Sequence, residues 1–400
     1  MATIENRIAS NTVFAVLLSV ATCHLINDTL QALLPSIYPM LRDSYALTFS
    51  QIGLITMAFH VTASILQPLI GLYTDRRPLP YSLPLAPAFT LLGLVLLGSA
   101  TSYPVILVAA GAVGIGSAIF HPEASRVARI ASGGRYGMAQ SLFQVGGNIG
   151  SSIGPLLAAW IILPRGQTSV AWFGVIALAS VGILSGVGRW YSHQLRPKNT
   201  PRPMPTVHHG LSSRTVSLSL AILLALMFSK FVYTSSFSSF YTFYLIDHFH
   251  VPVKDSQIYL FVYLAAFAMG TFAGGPIGDR IGRKAVIWFS ILGALPFTLA
   301  LPFANLFWTV ILTIPIGLIL ASAFSAMVVY AQELLPGRVG MISGLFFGTA
   351  FGIAGLSAVP LGYLADHTSI TFVFQLCSVL PAIGLLTVFL PSSERLKPSR

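Results

Sequence analysis

Charged residues are scarce in this chain. Only 8% of its 400 residues are Asp, Glu, Lys or Arg, whereas 55% are hydrophobic. A soluble domain carries roughly 25% charged residues, so this chain has too few polar groups to cover a surface that faces water. The composition excludes an ordinary soluble globular protein and favours one that lies in a lipid bilayer.

Cysteine and the common nucleotide and metal motifs are also missing or rare. Cys23 and Cys377 both lie in apolar segments, which indicates small buried residues and no disulfide. The chain has no G-x-x-x-x-G-K-[ST] loop, so we expect no direct use of ATP. It has no zinc-type spacing such as H-E-x-x-H, and we predict neither a metal nor a cofactor.

Long apolar runs are what the chain has in abundance. A helix that crosses a membrane needs about 20 apolar residues, and the sequence contains twelve such runs. They cover residues 12–39, 50–73, 80–100, 104–128, 136–163, 169–190, 215–245, 256–278, 284–303, 306–331, 340–364 and 370–390. The sequence therefore predicts an all-α membrane protein with twelve transmembrane helices.

The basic residues predict how these spans are oriented. Eighteen of the 22 Lys and Arg residues fall on one side of the predicted spans. Arg42, Arg165 and Lys254 fall on the other side, and Lys230 alone lies within a span. Because Lys and Arg are enriched in cytoplasmic loops, we predict that both termini are cytoplasmic. The net charge of +11 then faces lipid headgroups, and no nucleic-acid partner is expected.

The chain repeats itself at an interval of about two hundred residues. Gly71 and Asp75 recur as Gly275 and Asp279, and "RYGMAQSLF" recurs as "RVGMISGLF". Two copies inserted in the same orientation place a substrate site between them, near the middle of the membrane.

A basic, proline-rich stretch separates the two copies. We predict that residues 191–214 form a cytoplasmic linker. The prediction places an N-terminal six-helix lobe at 1–190 and a C-terminal six-helix lobe at 215–400.

The stretch "GPIGDRIGRK" at 275–284 resembles the signature of the major facilitator superfamily, G-x-x-x-D-R-x-G-R-K. The earlier copy keeps Gly71, Asp75 and Arg76 but lacks the later Gly-Arg-Lys. The resemblance implies gating or signature roles for a larger set of residues. These are Gly71, Asp75, Arg76, Gly275, Asp279, Arg280, Gly282, Arg283 and Lys284, with Arg126, Glu333 and Arg338.

Longer stretches resemble one group within that superfamily. "HLINDTLQALLPSIYPML", "FHPEASRVARIASGGRYGMAQSLFQVGGNIGSSIGPLLAA" and "YAQELLPGRVGMISGLFFG" look like the fosmidomycin-resistance group of bacterial drug exporters. The resemblance implies a monomeric, multi-pass transporter of the bacterial inner membrane. It would export a small drug in exchange for protons, and the phosphonate anion fosmidomycin would be the leading substrate.

One face of the first span carries polar residues. His24, Asn27, Asp28 and Gln31 follow the spacing i, i+3, i+4 and i+7, which places them on one side of a helix. Such groups are costly in lipid and are usually functional. We expect this face to meet a cavity or another polar helix, with Asp28 as the first candidate for the exchanged proton and His24 as a further proton-coupling residue.

The seventh span carries Lys230 and Tyr233 at a similar depth. Asp28 and Lys230 each lie about 24 Å along their predicted helices, at 1.5 Å per residue. One interpretation is a buried Asp28–Lys230 pair that only holds the two lobes together. The other is that the two residues handle protons and an anionic substrate, with the substrate replacing Asp28 at Lys230.

The fourth and tenth spans carry acidic groups near their predicted cytoplasmic ends. Glu123 and Arg126 are three residues apart and can pair on one helix, although Glu123 is also the second candidate for the proton. His121 should point to a different face from Glu123. Glu333 either closes a gate with a base or ends its helix in solvent.

The fifth span combines small and polar residues. Gly146, Gly150 and Gly154 repeat every four residues and precede Pro155, which allows close helix contact and a bend. The pattern also resembles the antiporter motif of drug-exporting facilitators, although Ala158 and Ala159 stand where that motif has glycines. We predict substrate contacts from His24, Asn27, Gln31, His121, Gln144, Asn148, Lys230 and Tyr233.

Two alternatives to an exporter remain from the sequence. A proton-coupled importer of a sugar or an organic acid would have the same spans, and the glycine pattern argues only mildly against it. A membrane enzyme would need a nucleophile with a base, or a metal cluster, at membrane depth, and the sequence shows neither.

Overall fold

The computed structural model describes residues 12–133, 135–194, 212–335 and 339–392. Twelve helical segments follow one another through this part of the chain. They are α1 Phe14–Tyr45, α2 Phe49–Arg76, α3 Leu85–Ser99, α4 Tyr103–Ala131, α5 Tyr136–Leu157, α6 Gly174–Gln194, α7 Ser213–Phe249, α8 Val253–Ile281, α9 Arg283–Phe303, α10 Leu306–Ala321, α11 Val339–His367 and α12 Ile370–Phe389. A π-helical turn, Ala158–Ile162, continues α5, and Ala323–Leu334 continues α10.

The predicted fold class is confirmed, with one qualification on length. Taken with the segments that continue them, eleven of the described helices are long and apolar enough to cross a membrane, whereas α3 is a shorter apolar helix of 15 residues. The third predicted span began too early. Pro78, Pro80 and Pro84 lie just before α3, and proline lacks the N–H that a helix interior requires.

Helix ends follow local chemistry. The Thr48 hydroxyl accepts from the N–H of Gln51, and the Gln51 side chain accepts from the N–H of Thr48, so a capping box starts α2. Gly282 precedes α9 with a φ of 89°, a conformation that strongly favours glycine. That requirement accounts for the glycine of the signature loop at this position.

The helices run alternately up and down, so the bundle has two ends. We call them the Arg42 end and the Arg126 end, after a residue at each. The charge bias predicts that the Arg42 end faces away from the cytoplasm.

Two helix pairs make most of the contacts between the first six helices and the last six. α2 packs against α11, and α5 packs against α8. α7 also contacts α1 and α2, less extensively. α6 ends at Gln194 and α7 begins at Ser213. The segment between these two helices is therefore shorter at both ends than the predicted linker, 191–214. The division at 1–190 and 215–400 otherwise stays a prediction.

Candidate transport site

A polar cluster forms around Asp28 inside the N-terminal lobe. One oxygen of the Asp28 carboxylate, Oδ2, lies 3.3 Å from Nε2 of His24. The other, Oδ1, lies 3.6 Å from Nε2 of His121 and accepts from Asn27 Nδ2 at 3.0 Å. The two imidazole rings meet edge to face, with centroids 5.0 Å apart. Residues from α1 and α4 that are about a hundred positions apart in sequence therefore share one carboxylate.

Backbone carbonyls fix which nitrogen of each imidazole faces that carboxylate. His24 Nδ1 lies 2.7 Å from the carbonyl oxygen of Phe143, and His121 Nδ1 lies 3.0 Å from that of Ser117. A carbonyl oxygen only accepts, so Nδ1 carries the hydrogen in both rings. Nε2 is then the atom that gains or loses a proton in each histidine, and both Nε2 atoms face Asp28.

Close contact between α1 and α5 positions this cluster. A Cβ added at Gly154 would lie 2.5 Å from Cβ of Ala32, and one added at Gly150 would lie 3.0 Å from the nitrogen of Thr29. Gly146 faces the backbone of Ala21 in the same way. The predicted helix-packing face is thus present, and it packs against α1. The helix continues through Pro155 into the π-helical turn.

Gly147 is a further residue of this site that the sequence interpretation missed. A Cβ at this position would lie 2.7 Å from Asp28 Oδ2 and 2.5 Å from a ring carbon of His24. Gly146 provides the contact with α1, and Gly147 provides space for the polar groups. The doublet of glycines within an i, i+4 pattern was the available signal.

Replacement of Gly147 by Ala should destabilise the protein through this contact. Overpacking of a filled site costs about 1–3 kcal/mol. Thermal unfolding of the purified protein in detergent should show a lower midpoint for Gly147→Ala. Gly182→Ala is the matched control, because a Cβ at Gly182 would have no neighbour within 4 Å. Equal midpoints for the two variants would contradict the proposed crowding.

The remaining residues of the polar face differ in their surroundings. Asn27 and Gln31 are buried, and neither Asn27 Oδ1 nor Gln31 Nε2 has a hydrogen-bond partner among the described residues. Gln144 and Asn148 are partly buried on α5 beside the cluster. Buried polar atoms usually have partners, so the two free atoms make this face suitable for a polar ligand.

The cluster also bears on the prediction that no metal is bound. Donor atoms of His24, Asp28 and His121 all lie within 4.8 Å of one another, a convergence that spacing along one helix could not show. Three such donors could hold a metal ion. The donors already contact one another, so a metal ion would have to replace those contacts.

Lys230 lies in the C-terminal lobe with aromatic neighbours. Its side chain is 1% exposed, and Nζ has no hydrogen-bond partner among the described residues. The Nζ atom lies 5.5 Å from the ring centroids of Phe231 and Phe324 and 5.8 Å from that of Phe267. An ammonium group gains from such ring faces, and Lys230 has no anionic partner in the part of the chain that the structure describes. Tyr233 is equally buried one turn further along α7.

The Asp28–Lys230 pair, one of the two interpretations that the sequence left open, is absent from the contacts of the described residues. Asp28 contacts His24, Asn27 and His121 within its own lobe, and Lys230 is surrounded by rings of the other lobe. Similar depth along two helices does not place two side chains together, because each also has to point toward the other. The interpretation of a pair that holds the lobes together was wrong for this conformation.

Glu123 and Arg126 form an ion pair in the N-terminal lobe. Glu123 is fully buried and also accepts from the Ser82 hydroxyl at 3.3 Å. Arg126 donates to the carbonyl oxygen of Gly71 at 3.2 Å. These bonds tie α2, α4 and the turn before α3 together. Glu123 and His121 have different neighbours, as predicted for two residues on different helix faces.

Of the two alternatives left open for Glu333, the structure shows pairing with a base, which is Arg283, and both residues belong to the same lobe. Arg283 at the start of α9 pairs with Glu333 at the end of α10. Lys284 donates to the carbonyl oxygens of Val388 and Leu390, the first at 3.1 Å. Arg283 and Lys284, two of the three bases of the signature loop, therefore hold the C-terminal lobe together in this conformation. The side chains of Asp75, Arg76, Asp279 and Arg280, the surroundings of Gly275, and all of Arg338 lie outside the described residues.

Two six-helix lobes with polar groups at membrane depth define a membrane transporter of the two-lobed type. The chain belongs to the Major Facilitator Superfamily, which matches residues 20–359 and 222–400. It is therefore a multi-pass transporter and not an enzyme.

Two curated relatives match nearly the whole chain. The fosmidomycin resistance protein of Escherichia coli is 55% identical over 385 residues, which is 96% of this chain and 95% of that protein. An uncharacterized MFS-type transporter of Bacillus subtilis, YfnC, is 41% identical over 96% of this chain and 95% of its own. The predicted resemblance to the fosmidomycin-resistance group is confirmed.

A solved structure shares the fold at low identity. The inward-facing, occupied form of a bacterial homologue of the human lysosomal transporter Spinster superimposes with a TM-score of 0.71, at 15% identity over 94% of each chain. At that identity the likeness supports the fold alone.

Proposed function

We propose that this protein exports a small anionic drug of the fosmidomycin type across the bacterial inner membrane in exchange for protons. The Asp28 cluster is the observation that carries the proposal. It offers a carboxylate and two imidazole Nε2 atoms at mid-membrane depth, where titratable groups usually handle ions or protons. The 55% identity to the fosmidomycin resistance protein of E. coli supports the assignment of a drug of this type as the substrate.

The cluster provides a proton-binding unit with three members. A proton on Nε2 of His24 or His121 would lie against the Asp28 carboxylate, and a second proton can occupy the other imidazole. A carboxylate changes its proton affinity when its neighbours and its hydration change. Motion of α4 relative to α1 would change the His121 contact, which gives the transporter a means to release the proton. Glu123 is the weaker candidate, because Arg126 and Ser82 already occupy its oxygens.

Lys230 provides the cationic contact for the anionic drug. A lone base at the centre of the membrane costs roughly 2.5–3.5 kcal/mol on insertion scales. The three phenylalanine rings offset part of this cost, and an anionic substrate would offset the rest. The unsatisfied atoms of Asn27 and Gln31 offer polar contacts from the opposite lobe.

The direct test of the drug assignment is susceptibility of a sensitive host. Expression of the wild-type protein should raise the inhibitory concentration of fosmidomycin above that of a host with an empty vector. The same host should show an unchanged response to a drug that enters and acts without any anionic group. An identical fosmidomycin response with and without the protein would contradict the assignment and favour the importer alternative.

The proposed orientation has its own test. A reporter fused after Arg400 should lie in the cytoplasm, and a reporter inserted near Lys254 should lie in the periplasm. The distribution of Lys and Arg predicts that these two positions are on opposite sides of the membrane. Lys254 is the second residue of α8 and is exposed, so an insertion there disturbs little packing. Both reporters on the same side would contradict the topology.

A further inference from the structure

Asp366 makes an unusual contact across the lobe boundary at the Arg42 end. It lies in the last turn of α11, in the C-terminal lobe. Its carboxylate accepts from the N–H groups of Phe49 and Ser50, both at 2.8 Å, and from the Ser50 hydroxyl at 2.5 Å. Phe49 and Ser50 are the first two residues of α2, in the N-terminal lobe.

The start of α2 is built to need such a partner. The first N–H groups of a helix have no acceptor within the helix, and the helix dipole favours a negative charge there. The Thr48 hydroxyl accepts a hydrogen bond from the N–H of Gln51 but leaves the N–H groups of Phe49 and Ser50 without an acceptor in their own lobe. The Asp366 carboxylate accepts hydrogen bonds from both of these N–H groups. A residue of one lobe therefore completes the cap of a helix in the other.

An ion pair across the same boundary lies beside the hydrogen bonds of Asp366. Arg42 of α1 lies 3.9 Å from the Asp247 carboxylate of α7. The same guanidinium stacks 4.0 Å above the ring of Phe49. That ring meets Phe243 of α7 edge to face at 5.2 Å. Phe49 therefore takes part in both contacts across the boundary.

Below these contacts the helices of the two lobes approach closely. A Cβ added at Gly53 of α2 would lie 2.5 Å from the carbonyl oxygen of Ala358 in α11. The Thr56 hydroxyl lies 2.8 Å from Tyr38 of its own lobe and 3.3 Å from Ser239 of the other. The boundary between α2, α7 and α11 is closed over this depth.

The geometry points to Asp366 as the principal residue of a latch that holds the Arg42 end closed, with the Arg42–Asp247 pair as its second contact. Opening this end requires α2 and α11 to separate. Separation breaks all three bonds to Asp366 and leaves two N–H groups of α2 without their acceptor. Asp366 therefore sets how often the closed state opens, although it touches neither the Asp28 cluster nor Lys230.

A thiol placed at the closed boundary reports its opening. Ser239→Cys keeps the size of a side chain that is 2% exposed and contacts Thr56. Cys23 and Cys377 are buried and would be replaced by Ala to give a background without other thiols. A membrane-impermeant thiol reagent is then added from the side that the Arg42 end faces, and the rate of labelling is measured.

Asp366→Ala should raise that labelling rate about tenfold, because hydrogen bonds to a charged group contribute substantially to a closed contact. Asp366→Asn should give an intermediate rate, since its amide oxygen still accepts. Ser50→Ala removes only the hydroxyl bond and should give a small rise without disturbing the fold. Asp255→Ala is the matched control, because Asp255 lies in the first turn of α8 at the same end, and it should leave the rate unchanged.

The order of these rates decides the inference. Equal labelling of Asp366→Ala and Asp255→Ala would overturn the latch, as would a rate for Ser50→Ala above that of Asp366→Ala. The assay contains no drug and no proton gradient, so its outcome is independent of the proposed export function.

Discussion

Replacement of Asp28 by Asn should abolish drug export driven by a proton gradient while the protein remains in the membrane. Asparagine has nearly the size of aspartate and still accepts from Asn27, so the contact at 3.0 Å can persist. It cannot bind a proton, and it removes the negative charge that faces His24 and His121. Export driven by an imposed pH gradient should fall to the level of vesicles without the protein.

The control for Asp28→Asn is Asp43→Asn on the same helix. Asp43 is exposed at the Arg42 end of α1, so its replacement removes one acid without touching the cluster. It should leave gradient-driven export near the wild-type rate. Normal gradient-driven export by Asp28→Asn would transfer the proton role to Glu123, or remove proton coupling from the account.

Replacement of Lys230 by Gln should lower resistance to fosmidomycin by about tenfold, because a hydrogen bond to a charged group contributes about 1.5–3 kcal/mol. Glutamine keeps a polar side chain of similar length without the charge. Lys230→Arg should retain part of the resistance, since it keeps the charge. The measurement is the inhibitory concentration in a host that expresses each variant at matched membrane levels.

The structure adds a second readout for Lys230. Its ammonium is buried and has no anionic partner among the described residues, so removal of an uncompensated charge should not destabilise the fold. Lys230→Gln should therefore unfold at the same temperature as the wild-type protein, or at a higher one. Lys254→Gln, at an exposed position, should change neither resistance nor stability. Full resistance from Lys230→Gln would show that the charge does not select the substrate.

The sequence predicted the architecture well because composition and periodicity determine it. Apolar runs of fixed length predicted the spans, and α3 came out too short to cross a membrane because prolines displace its start. The glycines at 146, 150 and 154 predicted a packing face because helix periodicity puts them on one side. These features depend on near neighbours in the sequence.

The candidate site could be predicted only in part. Helix periodicity placed His24, Asn27 and Asp28 on one face, but it could not show that His121 of α4 completes the cluster. It also suggested a partner for Lys230 that the structure does not supply. Rotation of each helix about its axis decides such contacts, and one sequence does not contain that information.

Contacts between the lobes were the least predictable feature. Asp366 is one acid among several near span ends, and nothing in its local sequence indicates that it caps a helix more than three hundred residues earlier. The same holds for Arg42 and Asp247. Contacts between the lobes depend on how the two lobes pack against each other, and no local pattern in the sequence reports that packing.

The most direct test of the account is fosmidomycin uptake into inside-out vesicles that contain the protein. In these vesicles, export from the cell becomes uptake into the lumen. An acidic lumen should drive accumulation of the drug as protons leave, and a protonophore should abolish it. Vesicles with Asp28→Asn should show no response to the gradient. Accumulation that is the same with an acidic lumen, a neutral lumen and a protonophore would contradict proton-coupled export.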